Sequence, residues 1–220
     1  MYCKEKVKEV MEKNREEITA LCEYIFENPE SGFHEYKASK ALQMFLENHG
    51  FTVEMGVAGL ETAFRAEKKG NEEGPVIGFL CEYDALPNGH SCGHNIIGSS
   101  AAAAAVGLSE AMVEYGGNVV VLGTPSEEGS GGGKELLYRA GVMDDIDCAM
   151  MFHPGPVSYT HLKLGVPKKK EIARLCNLQI MDFSLLSLLE FFADPKKEDG
   201  RNNKPPAIRN IINLRESALR

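Results

Sequence analysis

Apolar residues recur at helical spacing along the first fifty positions and then gather into short uninterrupted runs. Residues 4–27 contain neither Gly nor Pro, and Val7, Val10, Met11, Ile18, Leu21, Cys22, Ile25 and Phe26 fall on one stripe. That spacing predicts one long amphipathic helix. Asn28-Pro29 stops it, because the residue before a proline avoids the helical region. A second helix is expected over about 36–48, with Ala38, Ala41, Leu42, Phe45 and Leu46 inward and Gly50 at its end. Phe51–Met55 and Thr62–Ala66 read as short strands.

Val76–Leu80, Val119–Leu122 and Cys148–Phe152 are apolar without alternation. Such runs predict strands covered on both faces, as in a parallel sheet. A helix over about 96–115 separates the first two, with Asn95 as a candidate N-cap. Its Ala101–Ala105 stretch has a small face that allows a helix to sit close on a sheet. A further helix over about 133–140 leads to the third strand. Strands alternating with helices imply the α/β class, a doubly wound, mainly parallel sheet with helices on both faces. No internal repeat is evident.

The alternation does not continue beyond Gly155-Pro156. A basic patch (Lys168-Lys169-Lys170), an apolar stretch over 178–192 and a polar run over 195–206 follow. The expected organisation is therefore a domain over 1–156 and a separate, unassigned segment over 157–220.

Composition narrows the function. The 220 residues are 43% hydrophobic and 25% charged, ordinary for a globular chain. A net charge of -8 argues against nucleic acid as a partner. No apolar run has the length to span a bilayer, and the charged N-terminus lacks the apolar core of a secretion signal. The six cysteines, Cys3, Cys22, Cys81, Cys92, Cys148 and Cys176, have no framework spacing. They read as reduced thiols in a cytoplasmic protein.

Ligands of open α/β sheets bind outside the carboxyl ends of the strands. Glu82, Asp84, Cys92 and His94 follow the first buried run, Glu127 and Glu128 the second, and His153 the third. A thiolate, two imidazoles and carboxylates on one rim would make a transition-metal site. Each has an ordinary reading alone. Cys92 is then an inert thiol, His94 and His153 are loop histidines, and Glu127-Glu128 is a solvated loop. Asp84 would fix the Asp-Ala-Leu-Pro turn, and His90 would pack its loop. Their recurrence after three successive runs brings the joint reading level with the ordinary ones. The Gly-Ser-Gly-Gly-Gly-Lys stretch at 129–134 is a poor phosphate loop, since Glu128 stands where its first glycine belongs and Glu135 follows Lys134.

Four motifs in order then carry a resemblance: Glu82-Tyr83-Asp84-Ala85-Leu86-Pro87, Gly89-His90-Ser91-Cys92-Gly93-His94-Asn95, Gly123-Thr124-Pro125-Ser126-Glu127-Glu128-Gly129, and His153-Pro154. Together with Asn28–Tyr36, they resemble the aminoacylase and hippurate hydrolase group of amidohydrolases and co-catalytic metallopeptidases. The wording is nearest to the aminoacylase-like dipeptidase and aminobenzoyl-glutamate hydrolase branch, over about residues 1–156, a part of the catalytic domain.

The resemblance implies that Cys92, His94, Glu128 and His153 ligate metal, that Glu127 is the general base, and that Asp84 supports the site. It further implies two divalent ions, zinc or manganese before cobalt or nickel, and hydrolysis of the amide bond in small N-acyl amino acids or dipeptides. Members of the family are usually homodimers, but their dimerisation domain is not evident here. Neither is their later half, with its further histidine ligand. His161 is the one histidine in 157–220, its surroundings do not match, and the Val157–Leu162 junction reads as a truncation or a joined segment. Two alternatives stay open: an inactive or partner-dependent fragment of such a hydrolase, and a nucleotide-binding protein using 129–134.

Overall fold

In the computed structural model, residues 2–113, 116–128 and 131–154 are described, so expectations for 157–220, His161 and Cys176 among them, lie outside the described residues. The first apolar stripe folds as two helices, α1 (Tyr2–Lys13) and α2 (Arg15–Glu27). Asn14 separates them at φ -100° and ψ 11°, and its side-chain amide donates to the Val10 carbonyl at 2.9 Å. A short amide side chain competes with the helical backbone for such carbonyls, which the apolar spacing alone does not register. The stripe is otherwise as expected: Val7, Val10, Met11, Ile18, Leu21, Cys22 and Ile25 are buried. Phe26 is the exception at 40% exposed, on the last turn of α2. Helix α3 (Tyr36–Asn48) buries Ala38, Leu42, Phe45 and Leu46 against the same core.

Five strands form one sheet in the order β1-β2-β4-β3-β5, where β1 is Thr52–Met55, β2 Phe64–Lys69, β3 Val76–Cys81, β4 Asn118–Gly123 and β5 Cys148–Met150. The sheet is mixed: β3 runs parallel to β4 and β5, whereas β2 is antiparallel to both β1 and β4. Apolar residues on both sides of the central strands explain their unbroken runs. Ile77, Phe79, Val119 and Val121 join the core beneath the helices. Leu80, Val120 and Leu122 face the other side, packed by Val142, Met143 and Ile146. Burying each such aliphatic side chain contributes about 1.5–3 kcal/mol.

Two further expectations change. The run 148–152 shortens to β5, which is half-buried because it pairs with β3 alone among the described residues. Helix α4 (His94–Met112) begins at His94, with Gly93 rather than Asn95 at its N-cap. Asn95 lies inside the helix, where its amide donates to the Cys22 sulfur at 3.3 Å. The alanine stretch of α4 is buried throughout, against the sheet, α1 and α2. A short helix α5 (Gly133–Arg139) leads towards β5.

Candidate metal centre

Parallel pairing makes β3, β4 and β5 end at one edge of the sheet, and each continues there into a loop of acidic or imidazole groups. Beyond β3, Glu82, Tyr83 and Asp84 are all buried completely. Tyr83 stacks on Phe64 at 5.9 Å and donates to the Thr62 carbonyl at 2.6 Å. Asp84 works as a bracket. Its Oδ1 lies 2.8 Å from Nδ1 of His94, and its Oδ2 accepts the Glu128 backbone N–H at 2.9 Å. With Nδ1 occupied by a carboxylate, His94 presents Nε2 to the centre of the rim.

The third loop reaches the rim through a close approach. Gly93 has φ +83°, and a Cβ there would overlap the Pro154 ring. Only glycine meets both demands without strain. The His153 ring then stands edge-on to that of His94, with centroids 5.7 Å apart. Its Nε2 is 3.8 Å from Glu82 Oε2.

Two groups of potential donors result. Cys92, His94 and Glu128 form one, and Glu82, His94 and His153 the other, with the donor atoms of each group within 4.8 Å of one another. All four ligands implied by the motifs thus reach the rim, and Glu82 joins them. Glu127 is there too, with its Oε2 3.8 Å from His94 Nε2. Lys134 is ion-paired with Glu82 Oε1 and lies 3.8 Å from Glu127 Oε1. Its ammonium serves carboxylates, so the residues described after strand β4 give no support to a phosphate cradle.

Electrostatics follow from burial and crowding. Burial works to raise the Asp84 carboxyl, but His94 and the Glu128 N–H outweigh it and hold the group below its usual range. His94 is the converse: burial disfavours its cation, yet Asp84, Glu82 and Glu127 raise its pKa. Burial and the nearby Glu128 push the Cys92 thiol up. His90 is pushed down to about 4, by burial first and then by His94, and joins neither donor group. That agrees with a packing role.

One observation tests whether a cation fits. Glu82 Oε2 and His94 Nε2 are buried, lie 3.3 Å apart and make no hydrogen bond. They are held by charge attraction to each other, and a buried polar atom without a hydrogen-bond partner costs about 1–3 kcal/mol. A divalent cation bound by both would satisfy them, and thiolate, imidazole and carboxylate are suitable donors. The residues fit a metal.

No protein-family profile matches the chain. Individual proteins do. A p-aminobenzoyl-glutamate hydrolase subunit of Escherichia coli (strain K12) is 36% identical over 168 residues, covering 67% of this chain and 34% of that protein. A Xaa-Arg dipeptidase of Mus musculus is 39% identical over 172 residues, covering 72% and 40%. Among solved structures, the YXEP protein of Bacillus subtilis, a dinuclear metal-binding peptidase of the M20 family, superposes with a TM-score of 0.52 at 27% identity, over 60% of this chain and 41% of that one. The chain is a homologue of the M20 peptidases and amidohydrolases. It spans about a third to two fifths of the length of the curated relatives it matches.

Glu82 stood in the cluster that residue pattern pointed to but was given no role of its own, and Lys134 and the buried Glu35, whose Oε1 accepts the Ser126 N–H just before Glu127, were assigned none. The signal for Glu82 was its position, a carboxylate directly after a run of buried apolar residues, where an acid needs a partner. Lys134 stands out in the sequence only as the lysine of a poor phosphate loop. Glu35 sits in a polar stretch, and nothing local marks it as buried.

Proposed function

We propose that this M20 homologue binds divalent metal at the β3–β4–β5 rim and takes part in metal-dependent hydrolysis of the amide bond in N-acyl amino acids or dipeptides. The observation that carries the reading is the pair of buried, unbonded atoms, Glu82 Oε2 and His94 Nε2, shared between two donor groups. Cys92, His94, Glu128 and His153 would be the ligands, with Glu82 beside them. A nitrogen lone pair serves one ion, so His94 Nε2 completes one group and leaves the other with two donors from these loops. Zinc or manganese suits this mixture. When bound, the ions supply Lewis acidity, making water a nucleophile near neutral pH and polarising the amide carbonyl.

The chain's own groups do the rest. Glu127 takes the proton of the attacking water on its carboxylate and returns it to the leaving nitrogen. Asp84 fixes the His94 tautomer and orients the backbone of Glu128. Lys134 offsets the negative charge of Glu82 and Glu127. The names of the relatives, an aminobenzoyl-glutamate hydrolase and a Xaa-Arg dipeptidase, support small amide substrates. No helix among the described residues is long and apolar enough to cross a membrane, and the cytoplasm remains the proposed compartment.

The test is metal content of the purified chain, alongside Glu128→Ala and His153→Ala, followed by assay on N-acyl amino acids. Bound metal that falls in Glu128→Ala, in His153→Ala or in both supports the centre, and turnover abolished by Glu127→Gln supports the base. A folded native chain with no bound metal would overturn the reading.

A further inference from the structure

The loop bearing Glu127 and Glu128 begins at a residue in a conformation that side chains rarely adopt. Ser126 is buried and has φ +53°, in the left-handed region. Its N–H donates to Oε1 of Glu35 at 2.8 Å, across 91 positions of sequence. The same oxygen accepts the N–H of Phe33 at 2.9 Å, and Phe33 is likewise left-handed at φ +61°. The other oxygen accepts the Thr62 hydroxyl at 2.8 Å. Thr62 is also the residue whose carbonyl receives the Tyr83 hydroxyl, between Glu82 and Asp84. One fully buried carboxylate therefore ties two strained turns and the Thr62 segment together.

Helix capping does not explain Glu35. It occupies the N-cap position of α3 yet makes no side-chain cap bond. The orphan N–H groups of Lys37 and Ala38 go instead to the Glu30 carboxylate, at 2.8 and 3.1 Å. The Glu35 side chain is left to serve the loop.

We propose that Glu35 is a positioning residue, whose carboxylate locks the left-handed Ser126 turn that aims Glu127 and Glu128 at the rim and thereby sets how tightly the centre holds metal. The inference rests on the metal reading above. Glu35 touches none of the donors. Its influence passes through the Ser126 backbone.

Cobalt(II) titration of the full chain tests it, with the thiolate charge-transfer band of Cys92 as the spectroscopic signature and melting followed in parallel. Glu35→Gln keeps an oxygen for both N–H groups and a donor for the Thr62 hydroxyl, so it should bind within about threefold of the native chain. Glu35→Ala should bind at least about tenfold more weakly at temperatures well below its melting point, as loss of a ligand-orienting group does. Thr62→Val removes only the bond to Oε2 and should lower stability while keeping cobalt affinity. Should Glu35→Ala fail to melt cooperatively, Glu35→Asp, whose carboxylate is one methylene shorter, takes its place under the same threshold. Native affinity in the Ala or Asp variant overturns the proposal and leaves the metal reading standing. Equal losses in Thr62→Val and Glu35→Ala also overturn it, since both would then report general destabilisation. If the native chain binds no cobalt, the metal reading fails and the proposal falls with it.

Discussion

At Glu35, two physical demands oppose each other. The Ser126 and Phe33 N–H groups need an acceptor, and burial penalises the charge that makes a carboxylate a good one. Burial prevails over the hydrogen bonds and raises the pKa above the usual value near 4.5. The sign for stability follows. The folded chain keeps the Glu35 proton at a pH where the unfolded chain has released it, so this group costs stability as pH rises from about 4.5 through the folded pKa. In chelator, Glu35→Gln should therefore gain on the native chain between pH 4.5 and 7, read from urea midpoints at both ends of that window. A native chain that gains on the variant as pH rises would mean that the ionised form is the stabilised one. Other residues were easier to find from type and spacing. Cys92, His94, Glu127, Glu128 and His153 were legible because metal-competent groups recurred after each buried run. Glu35 and Lys134 acquire their roles only through partners brought from far along the chain.

Element by element, the sequence pattern was most informative where one face is buried continuously. Helix α4 is the clearest case, since Ala102, Ala103 and Ala105 are inaccessible to solvent. Its close seat is also visible at Gly98, where a Cβ would stand 2.9 Å from the Glu82 carbonyl. Ala102 lies one helical turn further along that face. Ala102→Leu should destabilise the chain by about 1–3 kcal/mol through overpacking, measured by denaturant unfolding. A change under about 0.5 kcal/mol would mean that the small face is not in tight contact. What the pattern did not reveal is equally specific. The break at Asn14 comes from a side-chain bond to Val10. The start of α4 at His94 comes from the left-handed Gly93. Unbroken apolar runs pointed to the parallel pairing of β3, β4 and β5, whereas β2, with its alternating and partly charged Phe64–Lys69, carries no such run and gave no sign of its antiparallel pairing.

For the molecule as a whole, the rim joins segments that are remote in sequence: 82–94 after β3, 127–134 after β4 and 153 after β5. Like charge gathers there, with Glu82, Asp84, Glu127 and Glu128 answered by Lys134 and by imidazoles. Folding must bring these carboxylates together, and a cation bound only in the folded state would stabilise that state by mass action. At one hundred times its dissociation constant, free zinc should add about 2.7 kcal/mol of stability. The dependence on zinc concentration should vanish in Glu128→Ala if the Cys92–His94–Glu128 group takes the ion, and in His153→Ala if the Glu82–His94–His153 group does. Thermal unfolding across a zinc series decides between them, because one His94 nitrogen cannot serve both groups at once. Absence of any zinc effect in the native chain would mean that Lys134 and the imidazoles alone compensate the acidic rim.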